Sequence, residues 1–241
     1  MPCAQTPNTS IPALLLAAGL GSRLRPLTET IPKCLVPIHG RPLLDIWLEL
    51  LVRAHFGPIY VNTHHHARAV EHYLDTAPWK PHVCLSQEPV LLGTGATLLA
   101  HRRQLGNQPF FVAHADNLCR FDLTAFWLAH QQRPQGCILT MMTFVTDNPR
   151  QCGIVELDHR GVVTAFHEKQ ERPPGNIANG AVFFMEPEIF SVLASCKAEQ
   201  PDISLDVLPE CLGRIATWEN AVYHRDIGTP QSYAQALKDY R

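Results

Sequence analysis

Several features that would place a protein quickly are missing from this chain. No apolar run approaches the roughly 18 residues of a membrane span. None of its eight cysteines pairs in a Cys-x-x-Cys spacing, so neither a zinc ribbon nor a dithiol redox motif is supported. Charged residues make up only 17% of the 241 residues, the formal net charge is −2, and no basic run occurs. The electrostatic footprint of a nucleic-acid binder is therefore absent, and anionic ligands must be drawn by a local site. No secretory leader is recognisable, and cysteines scattered through apolar runs behave as small buried hydrophobes. The expected compartment is a reducing cytoplasm. A serine–histidine–aspartate set is not recognisable either. The first ten residues, MPCAQTPNTS, are polar and contain prolines, and read as an unpacked lead-in.

What is present begins at Ala13. Hydrophobic residues make up 46% of the chain, ordinary for a folded protein long enough to bury a sizeable α/β core. The run from Ala13 to Ala18 is short enough for a fully buried strand. The turn after it carries Gly19 and Gly21, then Arg23 and Arg25, with Lys33 following Ile31-Pro32. Glycine lets backbone N–H groups approach a ligand closely, and successive N–H groups in such a turn form a concavity for an anion. Nearby cations match a phosphate chain. The stretch reads as a polyphosphate cradle at the carboxyl end of a first strand. Two familiar cradles do not fit. The Gly-Lys-Ser/Thr of a P-loop is missing, and Leu24 stands where a dinucleotide fingerprint needs a third small residue.

Further along, Pro42 opens a helical segment, PLLDIWLELLVRAHFG, with Gly57 as its stop. Ile59-Tyr60-Val61 reads as a strand, Arg68 to Leu74 as a helix, Val83 to Leu85 as a strand and Ala96 to Leu105 as a helix. The strand Pro109 to Asp116 and the helix Asp122 to Arg133 continue the alternation, which predicts a parallel sheet with right-handed crossovers. From the strand Cys137 to Val145 the pattern changes. Gly153 to Asp158 and Val162 to Phe166 flank a turn at His159-Arg160-Gly161, a hairpin signal. The strand Val182 to Met185 then precedes a helix from Pro187 to Ser195. The expectation is a single domain over residues 11–241, with a parallel half to about residue 120 and a more antiparallel half over 121–241.

Four constellations invite chemistry. His64, His65 and His66 suggest a metal, but adjacent residues on one element do not converge on one ion, and a polar strand-to-helix turn is the favoured reading. Gln87 and Glu88 can read the hydrogen-bonding edge of a base, and Gly93, Thr94 and Gly95 at a helix entrance can let a base or phosphate lie against backbone N–H groups. A glycine-rich capped loop with no ligand is an equal alternative. Asp116, at the carboxyl tip of a strand, stands where α/β sheets bind ligands and could hold Mg²⁺. Glu168 beside Lys169 is either a binding pair or an exposed charged pair.

Taken as a string, Gly19-x-Gly21-x-Arg23-Leu24-x-Pro26-Leu27-Thr28 with Pro32-Lys33-x-Leu35-x-Pro37 closely resembles the N-terminal motif of the sugar-1-phosphate nucleotidyltransferases. Further segments are similar to that family. They are Glu88 with Leu92-Gly93-Thr94-Gly95, Asp116 (after Ala115, where the family usually has glycine), and Gly153 (after Cys152, where it usually has tyrosine). Phe166-x-Glu168-Lys169 is followed by Gln170 in place of the usual proline, and Asn179-Gly180-Ala181 has its two small residues interchanged. Asp202-Ile203-Ser204-x-Asp206-Val207-Leu208-Pro209 and Asp226-Ile227-Gly228-Thr229-Pro230 complete a resemblance that runs from Ala13 to Tyr233. Thr229-Pro230 is expected to cap a last helix, Gln231 to Tyr240, and the C-terminal extension of longer members is expected to be absent.

The resemblance implies an α/β, Rossmann-like fold of the GT-A type, mainly parallel and flanked by helices, with a more antiparallel sugar-binding half. It implies an enzyme that transfers a nucleotidyl group from a nucleoside triphosphate to a sugar 1-phosphate, with Mg²⁺ as cofactor. Leu16, Ala17, Ala18, Gly19, Gly21, Ser22 and Arg23 would lie against the nucleotide, as would Gln87, Glu88, Gly93 and Thr94. Arg23, Lys33, Asp116, Lys169 and Asp226 would carry catalysis, with Asp116 and Asp226 sharing the metal. Gly153, Glu168, Lys169 and Asn179 would meet the sugar phosphate. The compact length and the Leu92-Gly93-Thr94-Gly95 loop look most like guanylyltransferases for mannose 1-phosphate or a manno-heptose 1-phosphate. Such enzymes supply nucleotide sugars for cell-surface polysaccharides. A UTP-dependent enzyme for glucose, amino-sugar or muramate phosphate is the alternative, and a non-catalytic nucleotide-sugar sensor a further one. The partners implied are the two small substrates, neither nucleic acid nor membrane, and a homodimer is compatible with this reading.

Overall fold

In a computed structural model, which describes residues 10–240, the strand Ala13–Leu16 is buried along its whole length, as a continuous apolar run covered on both faces should be. The lead-in expected over residues 1–10 lies, apart from Ser10, outside the described residues. The chain divides into two compact units. The first comprises the described residues up to Leu91, Ala113–Arg120, and the described residues from Tyr223 onward; the second comprises Leu92–Val112 and Phe121–Val222. The chain leaves the first unit after Leu91, returns to it at Ala113 and returns again at Tyr223.

In the first unit, Ala13–Leu16 pairs in parallel with Ile59–Thr63, Leu16 opposite Asn62, and Ile59–Thr63 pairs in parallel with Val83–Gln87. Helices Leu43–Arg53 and Ala67–Thr76 make the crossovers. In the former, Leu43, Leu44, Trp47, Leu48 and Leu51 recur at helical spacing and are all buried, while Asp45 in the first turn and Arg53 in the last suit the helix dipole. The helix ends at Arg53, short of the expected stop at Gly57, where His55 adopts left-handed backbone (φ 59°). A two-stranded antiparallel ladder joins Asn117–Arg120 to Tyr223–Asp226 and sets Asp226 opposite Asn117. The helix Pro230–Asp239 follows, capped as expected by Thr229, whose Oγ1 accepts from the Ser232 N–H at 3.1 Å.

The second unit is richer in antiparallel pairing. Leu139–Val145 runs antiparallel to Ile177–Met185 and parallel to Ile215–Glu219. The hairpin Gly153–Leu157 with Val163–Glu168 forms where expected, with Gly153 opposite Glu168. Its core is aromatic: Phe126 lies 4.8 Å from Phe184 and 5.1 Å from Trp218 between ring centroids, and Phe110 stacks on Phe190 at 5.3 Å. The helix expected from Ala96 to Leu105 is two, Thr94–Ala100 and Arg102–Leu105, broken at His101. The His101 ring donates from Nδ1 to the Thr97 carbonyl at 2.8 Å, a side-chain bond to the carbonyl four residues back. The seven cysteines among the described residues are free thiols. Burial pushes the Cys34 thiol up to about 12 and Cys211 to about 11, as suits small core residues. Among the described residues, no helix is long and apolar enough to cross a membrane.

Candidate active site

The glycine turn leaves the buried strand at Leu16, whose carbonyl accepts from the Ala115 N–H at 3.0 Å. Ala17 donates its N–H to Asn62 Oδ1 at 2.7 Å, and Ala18 is buried. Gly21 has left-handed backbone (φ 63°), and a Cβ there would lie 2.9 Å from Thr28 Cγ2 and 3.3 Å from Lys33 Cβ. Its carbonyl accepts from Thr28 Oγ1 at 2.7 Å and from the Leu24 N–H at 2.9 Å, which folds the turn back on itself. Gly21 is therefore required by geometry. Gly19 is different: a Cβ there would meet nothing within 4 Å. Packing therefore does not require glycine at this position, and Gly19, Ser22, Arg23 and Arg25 are all exposed.

Lys33 is the buried cation of the site, its side chain 7% exposed. Its Nζ donates to Asp116 Oδ2 at 2.7 Å and to Asp226 Oδ1 at 3.1 Å. Burial alone would lower its pKa, but the two carboxylates outweigh it and hold the ammonium above its ordinary range. Burial would likewise raise Asp116; the Lys33 charge, with that of His114, holds this carboxyl below the usual carboxylate range. Arg23 Nη2 lies 3.7 Å from Asp226 Oδ2. Gly228 makes room for that pair: a Cβ there would lie 2.9 Å from Asp226 Oδ1 and 3.0 Å from Arg23 Nη2. The cluster therefore joins Arg23, Lys33, Asp116 and Asp226, four of the five residues expected to carry catalysis. Two carboxylates that converge on one ammonium are also a donor set that fits Mg²⁺, which takes one or two carboxylates with phosphate and water oxygens.

Asn62, at the tip of the second parallel strand, links the turn to Glu88. It accepts from Ala17 and donates from Nδ2 to Glu88 Oε1 at 2.8 Å, both side chains being buried. The Glu88 N–H donates to the Thr63 carbonyl, and its own carbonyl accepts from His64 Nδ1 at 2.8 Å. Gln87 is exposed beside it. The histidine segment is a turn whose His66, left-handed at φ 54°, caps the helix Ala67–Thr76. Among the described residues, no group of three or more histidine, cysteine or acidic side chains is arranged to hold a metal.

In the second unit, Gly93 is left-handed (φ 88°) and opens the helix Thr94–Ala100. The N–H groups of Gly95 and Ala96, expected to face a base or phosphate, instead donate to the Pro201 carbonyl at 2.8 and 3.2 Å. The physical reason is a backbone approach only glycine allows, since a Cβ on Gly95 would lie 2.7 Å from that oxygen. Gly153, Glu168 and Lys169 are brought together. A Cβ on Gly153 would lie 2.6 Å from Glu168 Oε2, the Lys169 N–H donates to the Cys152 carbonyl at 3.1 Å, and Lys169 Nζ lies 3.0 Å from Glu168 Oε1. Asn179 sits inside the strand Ile177–Met185, which is longer than expected. Its Oδ1 accepts from the Ala181 N–H at 2.8 Å and supports a bulge where Ala181 is left-handed (φ 52°).

Sequence reading missed two residues of the first unit's cluster. Asn62 could have been suspected as a polar residue near the end of a largely apolar strand, and Gly228 lay inside a recognised motif without a stated job.

Comparison with known proteins supplies the family and the fold. A family model described as nucleotidyl transferase matches residues 12–241. The mannose-1-phosphate guanylyltransferase catalytic subunit beta of Drosophila melanogaster is 30% identical over 234 residues, 93% of this chain and 61% of that protein. A UTP–glucose-1-phosphate uridylyltransferase of Synechocystis is 29% identical over 214 residues, 82% of this chain and 54% of that protein. The chain thus spans less than two thirds of the length of either relative. Among solved structures, HddC from Yersinia pseudotuberculosis superposes with a TM-score of 0.80 at 24% identity, covering 96% of this chain and 100% of that one. UDP-glucose pyrophosphorylase from Acinetobacter baumanii superposes with a TM-score of 0.80 at 19% identity, covering 96% and 93%. At these identities the structures show a shared fold, and the family match carries the assignment. The α/β fold is a Rossmann-like nucleotidyltransferase fold, and the chain belongs to the nucleotidyl transferase family.

Proposed function

We propose that this protein joins a sugar 1-phosphate to a nucleoside triphosphate, giving NDP-sugar and pyrophosphate, with GTP and a mannose- or manno-heptose-type phosphate as the favoured pair. The observation that carries the reading is the Lys33 ammonium, buried against Asp116 and Asp226 beside exposed Arg23 and the open glycine turn.

A sugar phosphate is largely dianionic near neutrality, its second pKa being about 6. Its oxygen attacks the α-phosphorus without a general base. The new P–O bond forms as the bond to the bridging oxygen of the β-phosphate breaks, and pyrophosphate leaves with that electron pair. The chain's work is positioning and charge stabilisation. Arg23 and the Gly19–Gly21 turn hold the β- and γ-phosphates, with Ser22 beside them. Lys33 places positive charge at the α-phosphate, and Lys169 holds the attacking phosphate while Gly153, Glu168 and Asn179 face the sugar. Leu16 to Ala18, Gln87, Glu88, Gly93 and Thr94 form the nucleoside end. Asp116 and Asp226 would hold Mg²⁺, whose chemistry there is to neutralise phosphate charge.

Preference for GTP is supported by the guanylyltransferase named among the relatives. The Glu88 carboxylate, expected to read the base edge, is instead buried with Oε1 accepting from Asn62 Nδ2. The uridylyltransferase among them favours UTP with glucose 1-phosphate as the second reading. Either way the setting is a cytoplasmic supply of nucleotide sugar for surface polysaccharides, and a homodimer is compatible with it. Incubating the purified protein with Mg²⁺, each triphosphate and each sugar phosphate, and identifying the nucleotide sugar by chromatography, tests the assignment. GDP-mannose or GDP-heptose is expected; UDP-glucose as the main product would replace the favoured pair.

A further inference from the structure

The motif from Asp202 to Pro209 has no part in the reaction just proposed, yet it is bonded directly to the Gly93–Thr94–Gly95 loop. Thr94 Oγ1 donates to Asp202 Oδ2 at 2.9 Å and accepts from the Ile203 N–H at 2.8 Å. The Pro201 carbonyl accepts from the Gly95 and Ala96 N–H groups. A Cβ on Gly93 would also lie 3.4 Å from the Pro201 oxygen, so both glycines lie close to the same backbone.

Asp202 is itself held from the other side. Its Oδ1 accepts from the Ser204 and Leu205 N–H groups at 2.8 and 3.1 Å, and its own N–H donates to Asp206 Oδ2 at 2.7 Å. A single π-helical turn, Ile203–Val207, follows, a local form that recurs at functional sites. A hydroxyl has one proton to donate. The Thr94 proton goes to Asp202, so Thr94 cannot also donate to a nucleotide without breaking that bond.

We infer that Asp202 is a positioning residue for nucleotide selection: through Thr94 it sets the loop that meets the nucleoside. This rests on the reading that the Gly93–Gly95 loop lies against the nucleoside. Both oxygens of Asp202 accept hydrogen bonds, and an amide has only one accepting oxygen. Asp202→Asn therefore keeps the shape but cannot serve Thr94 and the Ser204 and Leu205 amides together. Thr94→Val breaks the same bond from the other end at nearly constant volume.

The test has two arms. Without substrates, hydrogen exchange at the Gly95 and Ala96 amides should quicken roughly tenfold in both variants. With substrates, KM for the nucleoside triphosphate should rise roughly tenfold, as expected for loss of a hydrogen bond to a charged group, and discrimination between GTP and UTP should shrink. KM for the sugar phosphate should stay within about twofold, and the double variant should be far less impaired than the product of the single effects, because both remove one interaction. Unchanged exchange overturns the inference, as does an equal loss in kcat and in both KM values, or faster exchange with an unchanged nucleotide KM. A parent protein that forms no nucleotide sugar from any pair defeats the proposed function instead, and exchange alone still decides whether Asp202 holds the loop.

Discussion

Lys33 and Asp116, far apart in sequence, meet at 2.7 Å, with the lysine buried and the carboxylate 38% exposed. Asp226, at 3.1 Å from the same nitrogen and half exposed, completes the arrangement. Removing the lysine leaves both carboxylates without their shared cation, whereas removing either acid leaves the buried ammonium the other.

Asp116→Asn and Asp226→Asn remove charge and keep shape. If both carboxylates hold one Mg²⁺, each variant should need more metal for half-maximal turnover, and maximal turnover should fall on the order of 10²-fold or more. Magnesium titrations of initial rate read this directly. Parental titration curves in both variants would exclude a shared metal site.

Gly228→Ala should impair turnover without unfolding the protein. Its backbone needs no left-handed conformation, but the added methyl would press within 3.0 Å of Arg23 Nη2 and 2.9 Å of Asp226 Oδ1. A displacement of well under 1 Å at reacting groups is expected to lower kcat on the order of tenfold. Thermal melting should move by only a few degrees, about what 1 kcal/mol produces in a chain of this size. A variant with parental kcat would show that the Arg23–Asp226 spacing is not critical.

His130 should make stability depend on pH away from the site. It is fully buried, with Nδ1 at 2.7 Å from Thr140 Oγ1 and Nε2 at 3.3 Å from Glu186 Oε1, a carboxylate also paired with Arg133. Burial, helped by the Arg133 charge, pulls its pKa from 6.5 down to about 3. The unfolded chain therefore takes up a proton below pH 6.5 that the folded chain refuses. Stability is fully present above 6.5 and declines as pH falls towards 3, by at most about 1.4 kcal/mol per pH unit. Denaturant unfolding between about pH 5 and 6.5, above the ordinary carboxylate range, should show this slope in the parent and a flatter one in His130→Gln. Equal slopes would remove His130 from the linkage.

Local features were the legible part of this protein. The strand Ala13–Leu16, the capped helix Pro230–Asp239 and the hairpin at Gly153 follow from apolar runs, turn residues and caps that neighbours in sequence supply. Asp226 could be matched to Asp116 only by resemblance, because its place depends on a ladder with Asn117–Arg120 that no periodicity announces. The Asn62 bonds to Ala17 and Glu88, and the approach of Gly95 to Pro201, are long-range contacts of the same kind. The break at His101 escaped for another reason: histidine is an unremarkable helix residue until its ring bonds its own helix.

Pyrophosphate release by the parent and by Lys33→Ala, with Mg²⁺, GTP or UTP, and mannose 1-phosphate or glucose 1-phosphate, tests the central claim most directly. The parent should release pyrophosphate only when triphosphate and sugar phosphate are both present. Lys33→Ala, checked for folding by circular dichroism, should be slower by roughly 10²–10³, the usual loss when a group stabilising transition-state charge is removed. Parental turnover in the folded variant would contradict the role given to Lys33, and no pyrophosphate from the parent with any pair would contradict nucleotidyl transfer itself.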